Sequence, residues 1–149
     1  MLKKADLSDS KKIHALINHF AAKDEMLPRS LSEIYENIRD FFVYKEKGKV
    51  CGCCALHICW EGLGEIKSLA VSNNKWGLGI GTKLVEACMD EARKLKLAQA
   101  FALTYKPEFF KKLGFKRVPK SKFPHKIWRE CINCPKFPNC DEVPMIKEL

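Results

Sequence analysis

The stretch KWGLGIG, residues 75–81, constrains this chain more than any other. It places glycines at alternating positions, 77, 79 and 81, between an apolar run ending in KSLAVS and a segment reading IGTKLVEACMDEARKL. In that second segment Ile80, Leu84, Val85, Cys88, Ala92 and Leu95 recur at helical spacing and form one apolar face. The unit is therefore strand, loop, helix. One glycine suffices for a turn and each further one costs backbone entropy, so three suggest that something must approach the loop backbone closely. The first turn of a helix offers unpaired N–H groups and the positive end of its dipole, which makes a phosphate the natural guest. The spelling fits neither the nucleotide triphosphate loop nor the dinucleotide fingerprint, whose glycine spacings differ.

The flanking chain supplies the rest of a mixed fold. LKKA reads as a first strand, and residues 6–22 carry Ile13, Leu16, Ile17 and Phe20 at helical spacing behind an Asp6 or Ser8 cap. Ser30 and Glu33 spell a capping box for a second helix through IYENIRDF. FFVYKEKGKVCGCCALHICW predicts a hairpin turning at Lys47 and Gly48, and EIKSLAVS, after a turn at EGLG, a fourth strand. AQAFALTY predicts a fifth strand, PEFFKKLGF a short helix closed by Gly114, FKRVPK a sixth strand and VPMIKEL a last one. The expectation is one α/β domain over residues 1–149, with a mixed central sheet of six to seven strands and about four helices. A Cys/Pro-rich segment at about residues 120–149 stands apart.

Length and composition bound the function. A chain of 149 residues with 46% hydrophobic content can bury one sizeable core. No apolar run approaches the roughly 20 residues of a membrane span, and MLKKADLSDSKK lacks the apolar stretch of a signal peptide, so no membrane partner and a cytoplasmic location are expected. In such a reducing compartment Cys51, Cys53, Cys54, Cys59 and Cys88 read as small core residues. The net charge of +9 implies a polyanionic partner without identifying it.

Two motifs carry a family resemblance. WGLGIG, Trp76 to Gly81, resembles the Q/R-x-x-G-x-G/A acetyl-CoA loop of the GCN5-related N-acetyltransferases (GNAT), with Trp76 where Arg or Gln is usual. FFKKLGF resembles the family's fourth-helix signature, with Phe110 in place of the tyrosine that often serves as general acid. Together with GEIKSLAV, the LTY…FFKKLGF pattern is most similar to amino-acid N-acetyltransferases of the N-acetylglutamate synthase type. The resemblance implies the GNAT fold and acetyl-CoA as cosubstrate. It implies that Trp76, Gly77, Leu78, Gly79, Ile80, Gly81 and Thr82 form the pyrophosphate loop, and that Leu69, Ala70 and Val71 pair with the pantetheine arm. The implied activity is acetylation of the α-amine of a free amino acid, glutamate in arginine biosynthesis; a homodimer is the assembly expected.

Attack of an amine on a thioester needs a proton acceptor at the nitrogen and a donor at the departing thiolate. Glu65 is the candidate base, at the start of the fourth strand where many family members carry Glu, and Tyr105 the candidate acid. Arg29, in the loop between the first two helices, and Lys67, two residues beyond Glu65, are candidates to hold the carboxylates of an acidic amino acid. In the tail, Cys131, Cys134 and Cys140 follow His125 as C-x-x-C-x5-C. They read as a structural zinc clip, as reduced structural cysteines, or as a redox disulfide. Another amine (a polyamine, a drug or a protein N-terminus) is the alternative substrate. A basic nucleic-acid-binding module is the alternative of another class, but it needs aromatic side chains interleaved with basic ones, and only KFPHKIW and KFPNC hint at that; no nucleic-acid partner is expected.

Overall fold

Alternation along Lys49–Trp60 (β3) builds the centre of the molecule, because successive side chains of a strand point to opposite faces. Cys53 and Ala55 pack with Ile13, Ile17 and Phe20 on one face, and Cys54 and Leu56 with Leu84, Val85 and Cys88 on the other. A strand buried on both faces has no polar side to show, which explains the CGCC run: Cys51, Cys53, Cys54 and Cys88 are buried thiols outside any disulfide, and Cys59 is half-buried. The computed structural model describes residues 1–119, 121 and 142–149.

Around β3 the elements follow the expected order. They are β1 (Leu2–Lys4), α1 (Ser10–Ala21), α2 (Leu31–Glu36), β2 (Phe41–Glu46), β3, β4 (Leu63–Val71), α3 (Ile80–Lys94), β5 (Gln99–Thr104), α4 (Pro107–Lys112), β6 (Lys116–Arg117) and β7 (Val143–Glu148). The seven strands form one sheet in the order β1-β2-β3-β4-β5-β7-β6. Every pairing is antiparallel except β4 with β5. Helices α1 and α2 cover one face and α3 the other. At Gly52 an added Cβ would lie 2.9 Å from the Leu84 Cδ1 methyl, so the missing side chain lets α3 sit close on β3. The side chains of Ile13, Ile17, Leu84 and Val85 are fully buried, each stabilising the fold by about 1.5–3 kcal/mol.

Local chemistry sets the boundaries. Asp6 caps a 3-10 turn at Leu7–Asp9 in a reciprocal box with Asp9, so regular α-helix begins only at Ser10. The Ser30 hydroxyl accepts from the Glu33 N–H at 3.1 Å as the capping box requires. The helix through IYENIRDF is shorter than expected: it ends at Glu36, and a separate 3-10 turn at Ile38–Asp40 carries the chain to β2. The turn expected at EGLG narrows, since Leu63 and Gly64 already belong to β4, and the sixth strand shrinks to two residues.

One relationship in the sheet positions everything that follows. The parallel ladder between β4 and β5 covers only Leu63 with Gln99, Gly64 with Ala100 and Glu65 with Phe101. Beyond Glu65, β4 stays with β3 and β5 stays with β7, so the two strands part. An irregularity opposite Cys53–Ala55 accompanies the parting, with Ser68 at φ +56. A bulge of this kind bends its strand and re-aims side chains.

Candidate active site

The parted strands, the glycine loop, α4 and the α1–α2 loop enclose a cavity of about 480 Å³. The loop enters through a 3-10 turn at Asn73–Lys75, fixed to β2 by a 2.6 Å contact between Lys75 Nζ and Glu46 Oε2. This bond raises the lysine's pKa and lowers the glutamate's. Gly77 and Gly79 lie at φ +83 and +78, in the left-handed region, with nothing within 4 Å of where a Cβ would stand. Gly79 is the N-cap of α3, whose first turn carries no acidic residue and no side-chain cap. The N–H groups of Ile80, Gly81 and Thr82 have no preceding helical carbonyl to bind, so an electropositive helix end faces open space.

Nearly all residues expected around acetyl-CoA line this cavity: Leu69, Ala70 and Val71 from β4, then Trp76, Gly77, Gly79, Ile80, Gly81 and Thr82. Leu78 does not, and its side chain is 60% exposed. Trp76 has a further part that its sequence position does not reveal. Its indole N–H donates to the Val71 carbonyl at 2.7 Å, and its ring stacks on Phe20 with centroids 6.1 Å apart. Lys106 Nζ lies 4.7 Å above the same ring. Indole has one donor, and here it is engaged within the protein, so Trp76 joins α1, the loop and the β5–α4 turn and leaves anion binding to the backbone.

Glu65, Lys67, Tyr105 and Arg29, far apart in sequence, also meet on the cavity. Glu65 is 8% exposed. The Asn18 side chain accepts from the Arg29 N–H at 3.3 Å and donates to the Arg29 carbonyl at 2.9 Å, pinning that loop to α1. Arg29 Nη1 stands 3.5 Å from Glu33 Oε2. Phe110, at the position where tyrosine was expected as acid, is a buried ring held edge-on between Phe109 and Phe115, at 5.2 Å from each.

Sequence reasoning missed several lining groups. Phe20 read only as core, while Met26, Leu27 and Phe109 carried no signal beyond being apolar. Lys75 and Lys106 add cations, and Glu25 and Glu142 add carboxylates, so among the described residues four cations and three carboxylates line the cavity. Cys131, Cys134, Cys140 and His125 lie outside the described residues. Among the described residues, no group of three or more metal-ligating side chains gathers, and no helix is long and apolar enough to cross a membrane.

Comparison with known proteins agrees with this geometry. Residues 11–115 match the model of the acetyltransferase (GNAT) family. An uncharacterized N-acetyltransferase of Chlorobaculum tepidum is 43% identical over 99% of this chain and 96% of its own length. An amino-acid acetyltransferase of Mycobacterium tuberculosis is 37% identical over 79% of this chain and 69% of its own. Among solved structures, the M. tuberculosis protein Rv2747 in complex with CoA and NLQ aligns with a TM-score of 0.88 at 30% identity, covering 100% of this chain and 99% of that one. N-acetylglutamate synthase from Neisseria gonorrhoeae, complexed with CoA and N-acetyl-glutamate, aligns with a TM-score of 0.91 at 25% identity. This chain spans 35% of that synthase.

Proposed function

The chain belongs to the GNAT family and is an acetyl-CoA-dependent N-acetyltransferase, and from that premise we propose that it acetylates the α-amine of a free acidic amino acid, glutamate first, in arginine biosynthesis. The observation that carries the reading is the meeting of Arg29, Lys67 and Glu65 on one cavity beside the glycine loop. An amino acid of this kind brings carboxylates, which need cations, and an ammonium group, which must lose a proton before it can attack. The likeness to relatives named amino-acid acetyltransferases supports the same class. A cytoplasmic location belongs to this reading.

The residues present fit acetyl-CoA. The uncapped α3 terminus, with open space over Gly77 and Gly79, suits a pyrophosphate, and the edge of β4 that β5 leaves at Leu69–Val71, its Val71 carbonyl already accepting the Trp76 indole N–H, suits the amides of a pantetheine arm through the groups that remain. Bound acetyl-CoA supplies a thioester carbonyl as the electrophile. Glu65, shielded from bulk water on the cavity wall, takes the proton from the amine. Arg29 and Lys67 hold the carboxylates and so orient the nitrogen. Tyr105, at the end of β5, protonates the departing sulfur in place of the hydroxyl that Phe110 lacks.

A thiol-release assay with acetyl-CoA against free amino acids, spermidine and lysine tests the substrate. Fastest turnover with glutamate or its close relative glutamine is expected. Faster acetylation of spermidine or lysine overturns the acidic-substrate reading and leaves the acetyltransferase intact.

A further inference from the structure

The net reaction converts an ammonium into an amide, so two protons leave the nitrogen in each turnover. One ends on the thiol of CoA, and the other must reach bulk water. Glu65 is 8% exposed and faces a cavity that both substrates occupy, so a proton it accepts needs another way out. The structure has a titratable group on the far side. His57 of β3 stands directly opposite Glu65 in the antiparallel β3–β4 ladder. Residues so paired project to the same face with Cβ atoms about 4.5–5.5 Å apart. His57 does not line the cavity, and its side chain is 37% exposed.

Asp40, in the 3-10 turn that follows α2, sets the state of this imidazole. Its Oδ2 lies 2.8 Å from His57 Nδ1. A carboxylate at that distance accepts from Nδ1–H, which leaves the Nε2 lone pair as the proton-accepting site. Among the described residues, the charged groups that contacts and register place beside His57 include Asp40 from the turn packed on β3, Glu65 across the ladder, and Lys67 next along that face of β4.

We propose that His57, held by Asp40, is the proton outlet of the active site. It takes from Glu65, directly or through one water, the proton that Glu65 removed from the amine, and releases it to solvent. The balance is closed: one amine proton passes through Glu65, which returns to carboxylate, and through Nε2 to solvent, the second restores the Tyr105 hydroxyl that protonated the departing sulfur, and no redox partner is needed. His57 is thus a positioning residue acting through Glu65, and this role rests on Glu65 being the base.

The test uses the full chain, acetyl-CoA and the fastest acceptor of the amino-acid panel. His57→Ala should lower kcat roughly tenfold, less than the loss of the base itself, with KM for acetyl-CoA within about twofold. Added imidazole, able to enter from the solvent side, should restore kcat in His57→Ala and leave Glu65→Gln unrestored. His57→Gln, which can still donate to Asp40, guards against misfolding: it should melt like the wild type and still show the kcat loss. An unchanged kcat in the folded His57→Gln protein, or a loss in His57→Ala that imidazole does not restore, overturns the outlet. Full activity of Glu65→Gln instead removes the base reading on which the outlet depends.

Discussion

The indole N–H of Trp76 donates to the carbonyl of Val71 over 2.7 Å, tying the loop's first motif position to the last residue of β4. With Phe20 stacked beneath and Lys106 above, this bond fixes the spacing between the glycine loop and the parted strands. Trp76→Phe keeps a ring for both neighbours and removes the bond, so a stability loss of about 1 kcal/mol is expected. CoA affinity should fall with it. Thermal melting and CoA titration check this, and a Trp76→Phe protein equal to wild type in both shows the bond to be incidental.

Gly81 offers a cleaner probe of the CoA loop than Gly79. At Gly79 the left-handed backbone strains any L side chain by roughly 1–2 kcal/mol, which confounds folding with binding. At Gly81 an added Cβ meets Phe109 Cζ at 3.5 Å and Val71 Cγ2 at 3.9 Å, ordinary contacts. Gly81→Val should therefore fold, yet crowd the helix N-terminus and weaken CoA binding at least about tenfold, or roughly 1.4 kcal/mol. Unchanged CoA affinity in the folded variant contradicts the placement.

Replacing Glu65 by Gln keeps the shape and removes the proton acceptor. Turnover should drop about a hundredfold, the low end of general-base contributions, with CoA binding retained. A pH–rate profile of the variant checks it, and normal turnover across the range assigns the proton to another acceptor.

The glycine loop, the Ser30–Glu33 capping box and the element order were legible because each is written in local residue types: Gly at positive φ, Ser with Glu three residues on, and period-2 or helical apolar spacing. The parting of β4 from β5 was not. It depends on which strand each half of β4 pairs with and on Ser68 adopting φ +56, which its residue type does not announce. Glu65 and Lys67 could be nominated from their strand positions, but that Arg29 joins them across the sheet follows only from Asn18 holding its loop. His57 carried no signal as a lone strand histidine, because its opposition to Glu65 is a matter of register.

The buried thiols predict an alkaline limit to stability. Burial pushes Cys53 up to about 12 from 9.0, and Cys54 well above 9.0. A raised folded-state pKa means the fold binds the proton more tightly than the unfolded chain does. The stabilisation is complete below pH 9 and is lost progressively as pH climbs toward 12. Urea unfolding at pH 8 and pH 10.5 should show the loss, and Cys53→Ala should flatten the slope. An identical slope in Cys53→Ala excludes this thiol as the cause.

The substrate pocket makes the last expectation. Arg29 and Lys67 share the cavity with Glu25, Glu65 and Glu142, so an anionic acceptor is drawn by particular cations and not by a uniformly positive wall. Arg29 presents a planar fork suited to a carboxylate, and Lys67 a point charge. Both contacts would hold the substrate in ground and transition states alike, so Arg29→Ala or Lys67→Ala should raise KM for glutamate with kcat little changed. Loss of one charge-assisted contact is worth about 1.5–3 kcal/mol, which corresponds to a KM increase of roughly ten- to a hundredfold. Arg29→Lys should recover only part of this, because an ammonium cannot grip two oxygens in one plane. Steady-state kinetics with glutamate, at saturating acetyl-CoA, separates the parameters. A fall in kcat with KM unmoved would instead place these cations at the reacting centre, and no change in either would put the carboxylates elsewhere in the cavity.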